Sequence, residues 1–301
     1  MYDLVCIGDV VVDLYFKGES LTQDKDRFSL AIGGKYQADA FYQGLGGGAA
    51  NVAIDATSFE LDSAVCALVG ENVFKQIIIQ HLVKKNVSTE LLIFVPDFYN
   101  ISTILLAKNG ERTVIHYPTQ TASFTIASHM LPILSEAKSY FFANIPQASI
   151  SEKFKLLTTI NGYNKPIFLN LSLDDCKHPL AEIKPLLSLA DGIILNSYEF
   201  AELSKKKHEN IDLNKNVAKL IGCENSLLVI TDGAKGSYAY HKNEVFFQKA
   251  ENVENIIDTT GVGDAYTSAF ISSFIKEPDI PKSMEIATKF AAKKLTRLGA
   301  N

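Results

Sequence analysis

At 301 residues the chain exceeds the usual single-domain size, though one α/β fold can use that length. Its 47% hydrophobic and 21% charged residues describe an ordinary globule with a real core. A net charge of −5 excludes a general nucleic-acid binder, which needs basic surface to displace counterions, but leaves room for a nucleotide held by local N–H groups.

Cys6, Cys66, Cys176 and Cys223 form no C-x-x-C pair, and a reduced, cytoplasmic protein is expected. The apolar start carries Asp3, Asp9 and Asp13 without a basic leader, so no signal peptide is expected. No apolar run approaches the roughly 18 residues that span a membrane. The histidines are scattered, with no zinc-type spacing.

In chain order, residues 2–8 read as a buried strand. Residues 10–16 continue extended and hold Asp13, an acid costly to bury unless hydroxyl donors meet it. Residues 17–35 read as a polar loop or hairpin and 36–42 as an exposed strand. A glycine cluster, Gly44 to Gly48, then opens a helix to about residue 60. A strand over 64–69 and a helix over 71–86 follow. Strands are expected over 91–95, 102–107 and 112–117, the last two joined by a turn at Lys108-Asn109-Gly110-Glu111. Beyond residue 140, strands (140–143, 166–171, 192–195, 227–231) alternate with helices (149–161, 180–189, about 197–207, 213–221). A hairpin over 237–248 and a β-like run over 253–257 come next. The final helix, from Pro281, buries Met284, Ala287, Ala291, Leu295 and Leu298. Repeated β-α units predict a parallel sheet covered on both faces. The β-rich pieces at 10–43 and 88–118 do not fit that layer and are expected to form a small projecting sheet.

The octet Asp258-Thr259-Thr260-Gly261-Val262-Gly263-Asp264-Ala265 carries the strongest chemical signal. It places two glycines and an acid where a loop enters a helix. N–H groups there lack intrahelical partners, and the helix dipole adds positive potential, so phosphate is favoured. Asp264 at that mouth is positioned to accept a proton from an attacking hydroxyl. The same residues also fit a plain turn with an acidic cap. Gly44-x-Gly46-x-x-Ala49 matches G-x-G-x-x-A, but no buried strand precedes it, and a dinucleotide site is set aside. The Walker A spacing and the protein-kinase motifs are absent.

Asp-Thr-Thr-Gly-x-Gly-Asp resembles the C-terminal signature of the ribokinase-like (PfkB) family of sugar and nucleoside kinases. Gly46, Gly47 and Asn51 are similar to its G-G-x-x-x-N, and Asp13 falls where the family places a sugar-binding acid. Asn196-Ser197-Tyr198-Glu199 is similar to its N-x-x-E, which also reads as a capping box. Thr231, Gly233 and Gly236 match its T-x-G-x-x-G, which also reads as a hairpin turn. Residues 295–300 resemble its last helix and the turn after it. The motifs stand in the family's order over nearly the whole chain.

The resemblance implies a three-layer αβα fold, a single domain over 1–301, with a mainly parallel central sheet and a lid from about 10–43 and 88–118. It implies a Mg-ATP-dependent kinase acting on a hydroxymethyl group of a sugar or sugar-like alcohol. Asp264 would be the base, and the N–H groups of Gly261, Val262 and Gly263 would stabilise the phosphoryl group. Asp13, Gly46, Gly47 and Asn51 would hold the acceptor, and Asn196, Thr231, Gly233 and Gly236 the nucleotide. Glu199 would order water around Mg²⁺, and Asp258 and Thr260 would start a K⁺-type site.

Two departures qualify this. Asn144 replaces the sugar-binding Glu of ribokinase-type members, so position 144 is expected to touch an acceptor other than ribose. The sequence ends at Asn301, where members commonly continue with residues completing the nucleotide and cation sites, so those sites are expected to be incomplete. A nucleoside kinase is the alternative, with acceptor choice among Tyr36, Phe41, Tyr99 and Arg112. A non-catalytic binding regulator is a third reading. A homodimer through the lid is expected to be possible, since a projecting sheet exposes edges.

Overall fold

The computed structural model describes residues 1–18, 21, 23–24, 27–106, 112–119, 123–297 and 299–301. A nine-stranded sheet forms the centre. Its strands are β1 (Leu4–Gly8), β6 (Ser63–Gly70), β7 (Leu92–Val95), β10 (Tyr140–Phe142), β11 (Ile167–Leu169), β12 (Gly192–Asn196), β13 (Leu227–Thr231), β14 (Ser237–His241) and β15 (Glu244–Gln248). Their order is β15-β14-β13-β12-β11-β10-β1-β6-β7, parallel throughout except β14 and β15. All residues of β1 and β6 are buried, as continuous apolar runs in a doubly covered parallel sheet must be.

One face is covered by α1 (Gly48–Thr57), α2 (Lys75–Lys84), α8 (Val262–Lys276) and α9 (Ile280–Lys294). The other face carries α3 (Leu131–Ser135), α4 (Ile150–Asn161), α5 (Leu173–Lys177), α6 (Leu180–Leu187) and α7 (Ser197–Leu203). The αβα layering is the one expected. From β1 the chain builds outward to β6 and β7, then returns to build the other half from β10. The order reverses between β1 and β10, and the crevice beyond their carboxyl ends is where open α/β sheets bind ligands.

A second, four-stranded sheet has the order β5-β2-β8-β9, from β2 (Val11–Lys17), β5 (Ala40–Gly46), β8 (Asn100–Leu106) and β9 (Arg112–Pro118). A separate ribbon pairs β3 (Gln23–Asp24) with β4 (Arg27–Phe28). Leu92–Val95, expected in the small sheet, pairs with β6 in the large one.

Other expectations are corrected. Residues 253–257 form no strand; a single N–H, that of Ile257, reaches the Leu295 carbonyl at 2.8 Å. The helix expected over 213–221 shrinks to a 3₁₀ turn at Ala218–Leu220. There the Asp212 and Asn216 side chains take the N–H groups of Asn214 and Ala218, which competes with helix formation. The 71–86 helix starts at Lys75, because Asn72 accepts from Phe74 N–H and donates to the Phe98 carbonyl. The first helix ends at Thr57 and α7 at Leu203, while α3 and α5 were not expected. The turn at 108–111 and Leu298 lie outside the described residues.

Candidate active site

The site begins where α1 packs against α8. Ala49, Ala50 and Ala53 on one and Ala265 and Ala269 on the other are fully buried, and small side chains let helix axes approach. The Ser268 hydroxyl seals the contact by donating to the Val52 carbonyl at 2.8 Å. This closeness sets Asn51, in the first turn of α1, against Asp264, in the first turn of α8. Asn51 Nδ2 donates to Asp264 Oδ2 at 2.6 Å.

Gly261, at φ +69°, turns the loop into α8, and no side chain caps the helix. The N–H groups of Val262, Gly263 and Asp264 make no hydrogen bond among the described residues. A Cβ on Gly263 would meet nothing within 4 Å, so that face of the helix start is open. Three unpartnered donors at a positive dipole end form an anion cradle. Burial raises the Asp264 carboxyl above its ordinary range, against the pull of Asn51 and Lys294.

Asp258 holds the loop in place. Its Oδ1 accepts from Thr260 N–H at 2.8 Å, the Thr260 hydroxyl at 2.6 Å and Arg112 Nη1 at 3.2 Å. Its Oδ2 accepts from Gly299 N–H at 2.9 Å. Arg112 Nη1 also donates to the Thr259 hydroxyl at 2.7 Å. Both Asp258 oxygens are thus engaged, one of them by the Arg112 guanidinium.

Asp13 is buried on β2, opposite Ser102 of β8. Burial pushes it to about 6, with the Ser102 and Tyr15 hydroxyls opposing the rise. A Cβ on Gly46 would stand 2.5 Å from Asp13 Oδ2. Gly47 has φ +94°, and a Cβ there would meet the Asp9 carbonyl at 2.6 Å. Both glycines are therefore required by close approach.

Asn144 follows β10 at the switch-point crevice. Lys153 Nζ donates to its Oδ1 at 3.3 Å. Ala143 beside it packs against the Cβ positions of Gly8 and Gly48, at 2.8 and 3.3 Å. Farther along the sheet, Asn196 and Thr231 are register partners at the carboxyl ends of β12 and β13. Asn196 and Glu199 do form a capping box: Asn196 Oδ1 accepts from Tyr198 and Glu199 N–H, and Glu199 Oε2 accepts from Asn196 N–H at 2.8 Å. Burial first, and then the charge of Asp264, push Glu199 to about 7. Gly233 (φ +54°) faces open space, whereas a Cβ on Gly236 (φ +120°) would stand 2.2 Å from the Gln248 carbonyl.

Asn51 of the residues expected to hold the acceptor thus meets Asp264, while Asn196 and Thr231, expected to hold the nucleotide, end β12 and β13, two and three strands from β10. Sequence reasoning missed Asp9. Its Oδ1 accepts from Gly48 N–H at 2.9 Å, and a Cβ on Gly48 would lie 3.8 Å from Asp9 Oδ1 and 3.9 Å from Asp264 Oδ1. Burial and the nearby Asp264 push Asp9 to about 7. An acid directly after a buried strand ending in glycine was the available signal. Asn301 was also missed: its Nδ2 donates to Asn51 Oδ1 and to the Leu45 carbonyl, both at 2.8 Å. Ala300 meanwhile packs on Gly261.

A carboxylate beside unpartnered N–H groups, at the switch point of a doubly covered sheet, defines a phosphoryl-transfer site in outline. The pfkB family carbohydrate kinase model matches residues 1–301, and the chain belongs to that family of ATP-dependent sugar kinases. It is 23% identical over 310 residues to an ATP-dependent 6-phosphofructokinase of Thermoanaerobacterium thermosaccharolyticum, covering 99% of this chain and 89% of that protein. It is 26% identical over 289 residues to the probable chloroplastic fructokinase-6 of Arabidopsis thaliana, covering 91% and 70%. Arabidopsis thaliana ribokinase complexed with ribose and ATP shares the fold, with TM-score 0.81, 19% identity and coverage of 99% and 94%. Kinases of this family use ATP. No helix among the described residues is long and apolar enough to cross a membrane.

Proposed function

We propose that the protein transfers the γ-phosphoryl group of ATP to a hydroxymethyl group of a sugar, with Asp264 Oδ1 as the base. One observation carries this reading. Asn51 ties up Oδ2 of a half-buried carboxylate while Oδ1 stays clear of it, beside the open N–H groups of α8. Asp13, the backbone at Gly46 and Gly47, and Asn51 hold the acceptor. Asn144 contributes from the far side of the crevice. Asn51 gives one Nδ2 hydrogen to Asp264 and one Oδ1 lone pair to Asn301, and keeps a second donor and a second lone pair for the acceptor. The N–H groups of Gly261, Val262 and Gly263 take charge on the transferring group. Asn196, Thr231, Gly233 and Gly236 line the path of the phosphates.

Glu199 suits a magnesium ion carried in with ATP. Mg²⁺ needs only one or two carboxylates when phosphate and water supply the rest, and the described residues hold no cluster of three metal-binding acids, histidines or cysteines. Such an ion would neutralise charge on the bridging phosphate oxygens. A K⁺ role for Asp258 and Thr260 requires Arg112 to withdraw. The four-stranded sheet acts as a lid over the acceptor. Its exposed Phe41, Tyr42, Val114, Ile115 and Tyr117 give a second copy a surface to pair with, in the cytoplasm.

The test is ADP release from Mg-ATP with a panel of ketoses, aldoses, phosphosugars and nucleosides. Turnover confined to sugars supports the reading. Turnover confined to nucleosides replaces the acceptor, and silence with intact ATP binding replaces the enzyme by a binding protein.

A further inference from the structure

Lys153 lies on α4 and is 3% exposed, an ammonium group with almost no access to water. Its three N–H bonds are all committed. Two go to Asp175, at 2.6 Å (Oδ1) and 2.8 Å (Oδ2). The third goes to Asn144 Oδ1 at 3.3 Å. Asp175 is itself fixed as the third residue of the α5 capping box, with Ser172 N–H on its Oδ2 and its own N–H on the Ser172 hydroxyl. A rigid relay therefore runs from the start of α5 to the acceptor crevice.

An ammonium group can only donate, so the atom of Asn144 that meets it must be the carbonyl oxygen. The amide plane then turns Nδ2 the other way. Asn144 is partly exposed, and its Nδ2 makes no hydrogen bond among the described residues. Its chain neighbour Ala143 lies against Gly48, whose Cβ position is 3.9 Å from Asp264 Oδ1.

We infer that Lys153, held by Asp175, is a positioning residue that makes Asn144 a fixed hydrogen-bond donor to the acceptor, so that the kinase selects a substrate presenting an oxygen lone pair there. A ring ether, carbonyl, carboxylate or phosphoryl oxygen fits; a hydroxyl fits only as an acceptor. A carboxylate at position 144 would impose the opposite choice. This rests on the sugar-kinase reading above and names the polarity that the acceptor must show.

The experiment has two arms. The first needs no substrate. In protein carrying ¹⁵N-asparagine, the Asn144 side-chain NH₂ signal is assigned by its loss in Asn144→Asp. Rapid exchange with water is expected; protection like that of a core amide would place Nδ2 inward and overturn the inference. The second arm uses D-fructose, or whichever panel acceptor is turned over, with its deoxy and deoxyfluoro analogues. Fluorine accepts weakly and cannot donate. At one carbon, wild type is expected to favour the fluoro over the deoxy analogue by at least about fivefold, through KM. Asn144→Asp is expected to abolish that preference. Lys153→Met alone leaves Asp175 buried and unpaired, so the double variant Lys153→Met/Asp175→Leu is used. It is expected to shrink the preference to within about twofold while the KM for ATP holds. Preferences unchanged in both variants at every carbon would overturn the inference. A silent panel with a fast-exchanging amide refutes the kinase reading and leaves the amide orientation standing.

Discussion

Asp9 and Asp264 approach the same glycine from two elements, the end of β1 and the start of α8. Both are raised by burial, and the Asp264 charge raises Asp9 further; repulsion between two like charges acts on both. A base raised in this way loses activity at a higher pH than an ordinary carboxylate as the medium is acidified. The acid limb of kcat/KM is therefore expected above the usual carboxylate range. Asp9→Asn keeps an acceptor for Gly48 N–H and removes the second charge, so that limb is expected to move to lower pH; an unmoved limb would separate the two acids. Asp13, at about 6, and Glu199, at about 7, bind protons more tightly folded than unfolded. The folded state then holds more protons between about pH 4 and 7, and stability falls as pH rises through that window. Tm is expected to be higher at pH 5 than at pH 8. Asp13→Asn should flatten that slope, as melting curves across the range would show.

Elements carry the site through close approach. Gly47→Ala forces a side chain to φ +94° and 2.6 Å from a carbonyl, with an expected loss of about 1–3 kcal/mol in denaturant melts and a raised acceptor KM. Lys294 on α9 pairs with Asp55 on α1 at 3.1 Å, both buried. Lys294→Met should cost about 3–5 kcal/mol, and adding Asp55→Leu should recover most of it. A double variant no better than the single would locate the loss elsewhere. The strands were legible because a parallel sheet buried on both faces writes continuous apolar runs, as in β1, β6 and β13. The octet was legible because its glycines and acid are contiguous. The helix ends were not: Asn72 and Asn216 spend their side chains on nearby N–H groups, a choice that apolar periodicity does not register. Asp9, Asn301 and Lys153 were invisible for another reason. Their partners lie 39, 250 and 9 residues away in the chain, and only folding brings them together.

At the scale of the molecule, two sheets must cooperate. Arg112 starts β9 of the small sheet and reaches Asp258 and Thr259 in the loop ahead of α8. This contact joins the proposed lid to the anion cradle. Asp258 is buried and Arg112 partly so, but Thr260 N–H, the Thr260 hydroxyl and Gly299 N–H keep Asp258 satisfied without Arg112. Arg112→Ala should leave Tm nearly unchanged while raising the KM values of both substrates, because the lid loses its anchor. A large fall in Tm with unchanged KM would make the contact structural only. The account as a whole turns on Asp264, where acceptor crevice, anion cradle and the α1–α8 contact meet. The most direct measurement is kcat for Asp264→Asn against wild type, with the best acceptor from the panel, beside ATP affinity by calorimetry. The account predicts a fall of about 10²–10⁴ in kcat with ATP affinity preserved. A kcat within about threefold of wild type would contradict it and pass the role of base to Asp9, the other acid beside Gly48.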